Sequence, residues 1–93
     1  MRVISDTPLR RFCDDHPEAK GPIWAWRNIV LKSEFANFAE LKKAFKATDR
    51  VGSYYIFDLG GNKYRLIAAI HFDTQRLFVR EILTHKEYDT WKP

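Results

Sequence analysis

The segment THKEYD, residues 84 to 89, follows directly on the apolar run LFVREIL and contains the side chains best suited to proton transfer. Thr84 and Glu87 have the spacing of a capping box, in which the Thr hydroxyl and the Glu carboxylate each bind a backbone N–H at a helix start. This pattern leaves His85 and Tyr88 unexplained. The segment is therefore either only the start of a helix or part of an active site in which an imidazole and a phenol handle protons.

The second half of the chain must position these residues. Its β-branched and aromatic runs SYYIFDL, NKYRLIAAIHF and RLFVREIL are separated by turn sequences and predict a three-stranded antiparallel meander. Alternation along the middle strand gives one wholly apolar face and a second face that carries Lys63, Arg65 and His71. The apolar face must be covered, so the second face is expected to be at least partly open.

Folding the two hairpins brings charges from three strands together. Arg65 is predicted to lie opposite Ile82 or Thr84, which brings His85 near Arg65. Arg80 is predicted on the same face, opposite Ile67 or Ala69, and Asp58 opposite Lys63 or Arg65. The predicted cluster contains Lys63, Arg65, Arg80, His85 and Tyr88, with Asp58 as a counter-charge.

A simpler explanation of the cluster stays open on these patterns alone. Arg65 and Asp58 could form a cross-strand ion pair, and Lys63 and Arg80 could be solvated residues on an open sheet face.

The first half of the chain has helical patterns. Thr7 is a predicted N-cap followed by Pro8, the segment GPIWAWRNIVLK forms a second helix with a broad apolar surface that should be buried, and Asn37 caps a third helix. Helices first and strands second predict an α+β domain with the helices on one face of a small antiparallel sheet and a short C-terminal helix.

Composition limits the classes of protein to consider. The 93 residues suit one domain spanning 1–93, and the net charge of +4 favours a polyanionic partner. One cysteine, Cys13, and the absence of a leader-like or membrane-spanning pattern favour a cytoplasmic protein without a membrane partner. The scattered histidines do not have metal-ligand spacing, so we predict neither a metal site nor a cofactor.

The cluster suits cleavage of RNA without a metal, because the ribose 2′-hydroxyl is itself the nucleophile. The protein must withdraw a proton from that hydroxyl, stabilise the added negative charge and protonate the leaving 5′-oxygen. Arg65 could bind phosphate oxygens, His85 could transfer protons, and Tyr88 could share proton transfer or stack on a base.

The sequence also resembles the HigB-type toxins of bacterial type II toxin–antitoxin systems, within the RelE-like superfamily. The resemblance rests on YIFDLGGNKYRLIAAIHF (55–72) and VREILTHKEYD (79–89), in which Gly-Gly-Asn, Arg65 and the closing Thr-His-x-Glu-Tyr-Asp match in order and spacing. One departure is Asp58, where relatives usually have Asn; a carboxylate there could pair with Arg65 and weaken its binding of phosphate.

The resemblance implies a RelE-like fold and a ribosome-dependent mRNA endonuclease that a HigA-type antitoxin holds inactive in an oligomeric complex. It implies catalytic roles for His85, Tyr88 and Arg65 and RNA binding by Lys63, Arg80 and Lys86. Two alternatives are a ParE-like toxin that acts on a protein such as DNA gyrase, and a catalytically silent module that only binds the antitoxin. Fold analogy alone does not choose between them.

Overall fold

The computed structural model describes residues 1–93. The elements follow in the order β1 (Arg2–Ile4), α1 (Thr7–Asp15), a 3₁₀ turn (Pro17–Ala19), α2 (Lys20–Lys32), α3 (Phe38–Ala44), β2 (Thr48–Val51), β3 (Tyr54–Leu59), β4 (Tyr64–His71), β5 (Arg76–Thr84) and α4 (His85–Tyr88). The architecture is α+β and includes the short C-terminal helix, so the predicted fold class is confirmed. None of the helices has the length and apolar composition needed to cross a membrane.

The sheet has five strands in the order β1-β5-β4-β3-β2, two more than predicted. The predicted meander forms its centre, as β3, β4 and β5. The additional strands are short edge strands: β2 pairs antiparallel with β3, and β1 pairs parallel with β5. Neither β1, with three residues, nor the polar TDRV of β2 is long or apolar enough to have a clear strand pattern.

Helices cover one face of the sheet, and the core lies between them. Trp26 of α2 packs edge-on against Phe57 of β3, with their ring centroids 5.2 Å apart. The predicted apolar side of β4 contributes Tyr64, Leu66 and Ala68, all buried. The prediction for α2 was only partly right, because Ile29 and Leu31 are 47% and 41% exposed. They lie away from the stripe of α2 that includes Trp26.

The predicted N-cap residues are found at two helix starts and not at a third. The Asn37 side chain accepts a hydrogen bond from the Glu40 backbone N–H at 3.0 Å, as expected for the cap of α3. The Thr84 capping box is present at the start of α4. The predicted Thr7 cap was wrong, because Thr7 is already the first residue of α1 and Asp6 occupies the cap position. Asp6 makes no capping bond there; its carboxylate pairs with Arg27 at 2.8 Å.

A bulge between β4 and β5 shifts the predicted register. Ile67 pairs with Glu81 and Ala68 with Val79, which leaves Arg80 as the extra residue. Arg80 therefore lies opposite neither Ile67 nor Ala69, contrary to the prediction. Beyond the bulge, Arg65 pairs with Leu83 instead of Ile82 or Thr84.

Candidate active site

The capping box holds α4 at the end of β5, beside the beginning of β4. The Thr84 hydroxyl accepts from the Glu87 N–H at 3.2 Å, and the Glu87 carboxylate accepts from the Thr84 N–H at 2.9 Å. The hydrogen bond from the Thr84 backbone N–H lowers the pKa of the Glu87 carboxyl group, and the Thr84 side chain lowers it further. The His85 backbone N–H donates to the Lys63 carbonyl at 2.9 Å. This bond ties the first residue of α4 to the loop before β4, so the predicted proximity of these two segments is found.

Arg65 and Asp58 form the cross-strand ion pair anticipated from the sequence. They are directly paired between β3 and β4, and Arg65 Nη1 lies 2.9 Å from Asp58 Oδ1. The side chains are only 13% and 20% exposed. Arg65 Nη1 also donates to the Asn62 carbonyl at 3.1 Å, and the Asn62 amide, with its nitrogen turned inward, donates to Asp58. The carboxylate thus accepts from one terminal nitrogen of the guanidinium, while Nε has no bond within the protein.

The loop between β3 and β4 makes this arrangement possible. Gly60, Gly61 and Asn62 all have positive φ angles, a conformation that glycine adopts freely and that Asn tolerates better than most residues. A Cβ at Gly60 would also lie 2.9 Å from the Tyr64 ring. The loop therefore curls tightly enough to turn the Asn62 carbonyl toward Arg65.

Tyr88 joins Arg65 on the second face of the sheet. The Arg65 guanidinium carbon lies 5.5 Å from the centroid of the Tyr88 ring, within the range of a cation–π contact. Tyr88 also stacks on Trp91, with ring centroids 5.7 Å apart and planes 18° apart. The two predicted site residues are thus in contact.

Trp91 is a positioning residue that the sequence analysis missed. Its indole N–H donates to Glu81 at 2.7 Å, and its ring packs edge-on against Tyr54 at 5.9 Å. Trp91 therefore reaches from β5 to β3 across the row that contains Ile67 and Ile56, which are 1% and 2% exposed. The face expected to be open is covered over this half. A lone Trp near the end of the chain has no periodicity from which its position could be predicted.

The remaining predicted residues are accessible and less closely gathered. His85 is 53% exposed, and its Nδ1 lies 3.5 Å from Asp89 Oδ2 one turn further along. Lys63 and Lys86 are exposed; the Lys63 carbonyl accepts from the His85 backbone N–H, and Lys86 follows His85 in the chain. Arg80 is exposed on the same face but turns away from Arg65, and its guanidinium carbon lies 5.6 Å from the Phe78 ring centroid.

A second polar group lies near the beginning of β4, on the side of the sheet that the helices cover. His16 stacks on Phe12 at 4.5 Å, its Nδ1 is 3.7 Å from Glu18, and its ring lies 6.5 Å from that of Tyr64. Burial raises the pKa of Tyr64, and the negative charge of Glu18 raises it further. No local pattern in the sequence predicts this contact between the end of α1 and the start of β4.

Helices on one face of a five-stranded, mostly antiparallel sheet, with a short helix after the last strand, agree with a RelE-like fold. A family model described as HigB_toxin, the RelE-like toxic component of a toxin-antitoxin system, matches residues 19–91. The chain belongs to this family.

Curated relatives agree with the family model. The chain is 33% identical over 92 residues to the mRNA interferase toxin HigB of Escherichia coli K12, an alignment that covers 96% of this chain and 88% of that protein. The mRNA interferase HigB of Shigella flexneri has the same identity and coverage. That of Escherichia coli O6:H1 is 30% identical, with 96% and 89% covered.

Proposed function

We propose that this protein is an mRNA endonuclease toxin that cuts messages during their translation and is neutralised by a HigA-type antitoxin. Membership of a toxin family and the printed name of its relatives, mRNA interferase, support the reaction class. The observation that carries the proposal is the contact of Arg65 with Tyr88 of α4, the short helix that also carries the exposed His85. The site of action would be the cytoplasm, where mRNA is translated.

In the proposed reaction the ribose 2′-hydroxyl loses its proton and attacks the adjacent phosphorus, and the bond from phosphorus to the 5′-oxygen breaks as that oxygen takes up a proton. The protein therefore supplies no nucleophile and needs no metal. His85 is the first candidate for proton transfer, because its imidazole is exposed and held on a capped helix. The Asp89 carboxylate close to Nδ1 favours an orientation in which Nε2 points toward solvent and substrate. Tyr88 is the second candidate, and its hydroxyl could serve the opposite proton transfer.

Arg65 would stabilise negative charge on the phosphate and hold Tyr88. Its guanidinium is fixed by Asp58 on one side and lies against the Tyr88 ring on another. Only Nε and the outer part of the guanidinium remain for the phosphate, so Asp58 reduces the net charge that Arg65 offers. This makes the proposed activity depend on a partly neutralised arginine.

Exposed cations around this centre would bind the RNA backbone. Lys63 is bonded to His85 through the backbone, Lys86 follows His85 in the chain, and Arg80 lies further along the same face. Such contacts to phosphate oxygens are independent of sequence and weaken as salt concentration rises. An antitoxin that covers these residues in an oligomeric complex would block access of mRNA.

The experiment is primer extension on a translated reporter mRNA after brief induction of the wild-type protein, His85→Ala and the control variant Lys43→Ala. Lys43 is an exposed cation on α3, away from the site. Cuts in the coding region that disappear only in His85→Ala, with equal expression and folding, support the proposal. Growth arrest without cuts would instead favour a protein target such as gyrase, and neither arrest nor cuts would favour a silent antitoxin-binding module.

A further inference from the structure

The second face of the sheet is covered over one half and uncovered over the other. Tyr88 and Trp91 lie over the half nearest the site, above Ile56 and Ile67. On the side of the bulge away from Arg65 no segment covers the face, and the residues there include Ala69, His71, Phe78 and Arg80. Phe78 is partly exposed on this uncovered half of the face.

Phe78 is the centre of a small group of stacking side chains. Its ring centroid lies 5.3 Å from that of His71, with the planes at 65°, and 5.6 Å from the Arg80 guanidinium carbon. Ala69 pairs directly with Phe78 across the strands and, being small, leaves room beside the ring. We call Phe78, His71 and Arg80 the distal platform.

The bulge is what forms the distal platform. An extra residue in one strand breaks the alternation and re-aims a side chain, and here that residue is Arg80. With regular pairing, Arg80 would lie directly over a β4 partner. The bulge instead leaves the Arg80 guanidinium carbon 5.6 Å from the Phe78 ring centroid, so that an aromatic ring and a guanidinium share one surface.

We propose that the distal platform binds an unpaired base of the RNA substrate that flanks the nucleotide that is cut. This inference rests on the proposed function. Single-stranded RNA is held by stacking its bases on aromatic rings and guanidinium planes while cations contact its phosphates. The platform offers both features and is continuous with the proposed active site along β4 and β5.

The spacing identifies a flanking base and not the reacting nucleotide. Phe78 is level with Ala69, four residues along β4 from Arg65, or roughly 13 Å at about 3.3 Å per residue. His85 and Tyr88 lie at the Arg65 end. A base on Phe78 therefore adds binding energy at a distance from the reacting phosphate.

Kinetics of three variants test the proposal. Phe78→Leu keeps an apolar side chain but removes stacking, and Phe78→Tyr restores a ring. The matched control is Phe38→Leu, because Phe38 also has a nearby cation, with Lys42 Nζ 5.8 Å from its ring centroid, but lies on the helix side. Initial cleavage rates are measured over a range of concentrations of ribosome-bound reporter mRNA, with the same mRNA free in solution as a second substrate.

We expect Phe78→Leu to raise KM at least about fivefold with kcat nearly unchanged, since loss of a base stack removes binding common to ground and transition states. Phe78→Tyr and Phe38→Leu should behave like the wild type. An unchanged KM in Phe78→Leu, or a fall in kcat alone, overturns the inference while the proposed function stands. Weaker antitoxin binding by Phe78→Leu with unchanged KM would also overturn it and assign the platform to the antitoxin.

Failure of the proposed function would look different. In that case the wild-type protein cuts neither form of the mRNA, and the comparison of Phe78 variants has no cleavage to modify. Photocrosslinking then gives a separate readout: RNA containing 5-iodouridine should crosslink to Phe78 of the His85→Ala variant, which retains the whole platform. No crosslink at Phe78, with crosslinks elsewhere on the protein, overturns the inference independently of catalysis.

Discussion

Replacement of Asp58 by Asn should increase cleavage and decrease stability at the same time. The Asp58 carboxylate neutralises Arg65 at 2.9 Å, so it opposes the charge that Arg65 would present to a phosphate. Asp58→Asn keeps the shape of the side chain and an oxygen that can accept from Nη1, but removes the negative charge. The Asn62 carbonyl still holds Nη1 at 3.1 Å, so Arg65 should stay in position.

The size of the effect follows from the geometry. A phosphate on the side of the guanidinium away from Asp58 would lie about 6 Å from the Asp58 carboxylate. At that distance two negative unit charges repel by about 3 kcal/mol at an effective dielectric constant of about 20, and by less than about 1 kcal/mol in water. Because the two side chains are 13% and 20% exposed, we expect an intermediate value. About 1–2 kcal/mol corresponds to a roughly 5- to 30-fold faster cleavage. Loss of the charged hydrogen bond should cost about 1–2 kcal/mol of folding free energy.

The assay compares kcat/KM for reporter cleavage and the free energy of urea unfolding in the wild type, Asp58→Asn and Asp14→Asn. Asp14 is an exposed residue of α1, and its replacement makes the same change in net charge away from the site. Slower or unchanged cleavage by Asp58→Asn would refute the reasoning and mean that Arg65 acts only as a structural partner of Asp58. An equal gain in Asp14→Asn would attribute the effect to net charge.

Three further predictions concern the elements that hold the site. Thr84→Ala removes the acceptor of the Glu87 N–H and should lower the free energy of urea unfolding by about 1 kcal/mol. The initial rate of cleavage should fall by a larger factor than the fraction of folded protein. If the rate and the folded fraction fall by the same factor, α4 does not position the site. Trp91→Ala uncovers Ile56 and Ile67 and should lower the free energy of urea unfolding by about 2–4 kcal/mol. A loss smaller than about 1 kcal/mol would contradict the covering role of Trp91. Tyr64 has a pKa raised above 10.0 in the folded protein, so its contribution to stability is complete below pH 10.0 and is lost as the pH rises further. Tyr64→Phe should remove that alkaline decline in unfolding free energy measured from pH 8 to 11, and an unaltered decline would assign it to other groups.

Local sequence patterns were sufficient to predict a large part of the fold. The alternation along β4 predicted which face meets the helices. Because successive side chains of a strand point to opposite faces, one apolar face fixes which side of the strand is buried. The Thr84 capping box needed only residues three apart. The ion pair between Asp58 and Arg65 was likewise accessible, because a short hairpin loop restricts the register to a few choices.

The errors occurred where the outcome depends on contacts between distant segments. The parallel pairing of β1 with β5 joins the two ends of the chain, and three residues contain no signal for it. The displacement of Arg80 follows from a bulge, which inserts a residue without changing the apolar pattern enough to be recognised. Exposure of Ile29 and Leu31 could not be predicted either, because how much of an apolar helix is buried depends on what packs against it.

The sequence by itself therefore determined the α+β class, the caps of α3 and α4, the apolar face of the sheet and the residues with suitable chemistry. Each of these depends on interactions within a few residues or on a simple period. Only the tertiary structure decided that Trp91 covers half of the second face and that Arg65 contacts Tyr88. Only it turned Arg80 toward Phe78. These arrangements require side chains far apart in the chain to meet, and that depends on the path of the whole backbone and not on the identity of neighbouring residues.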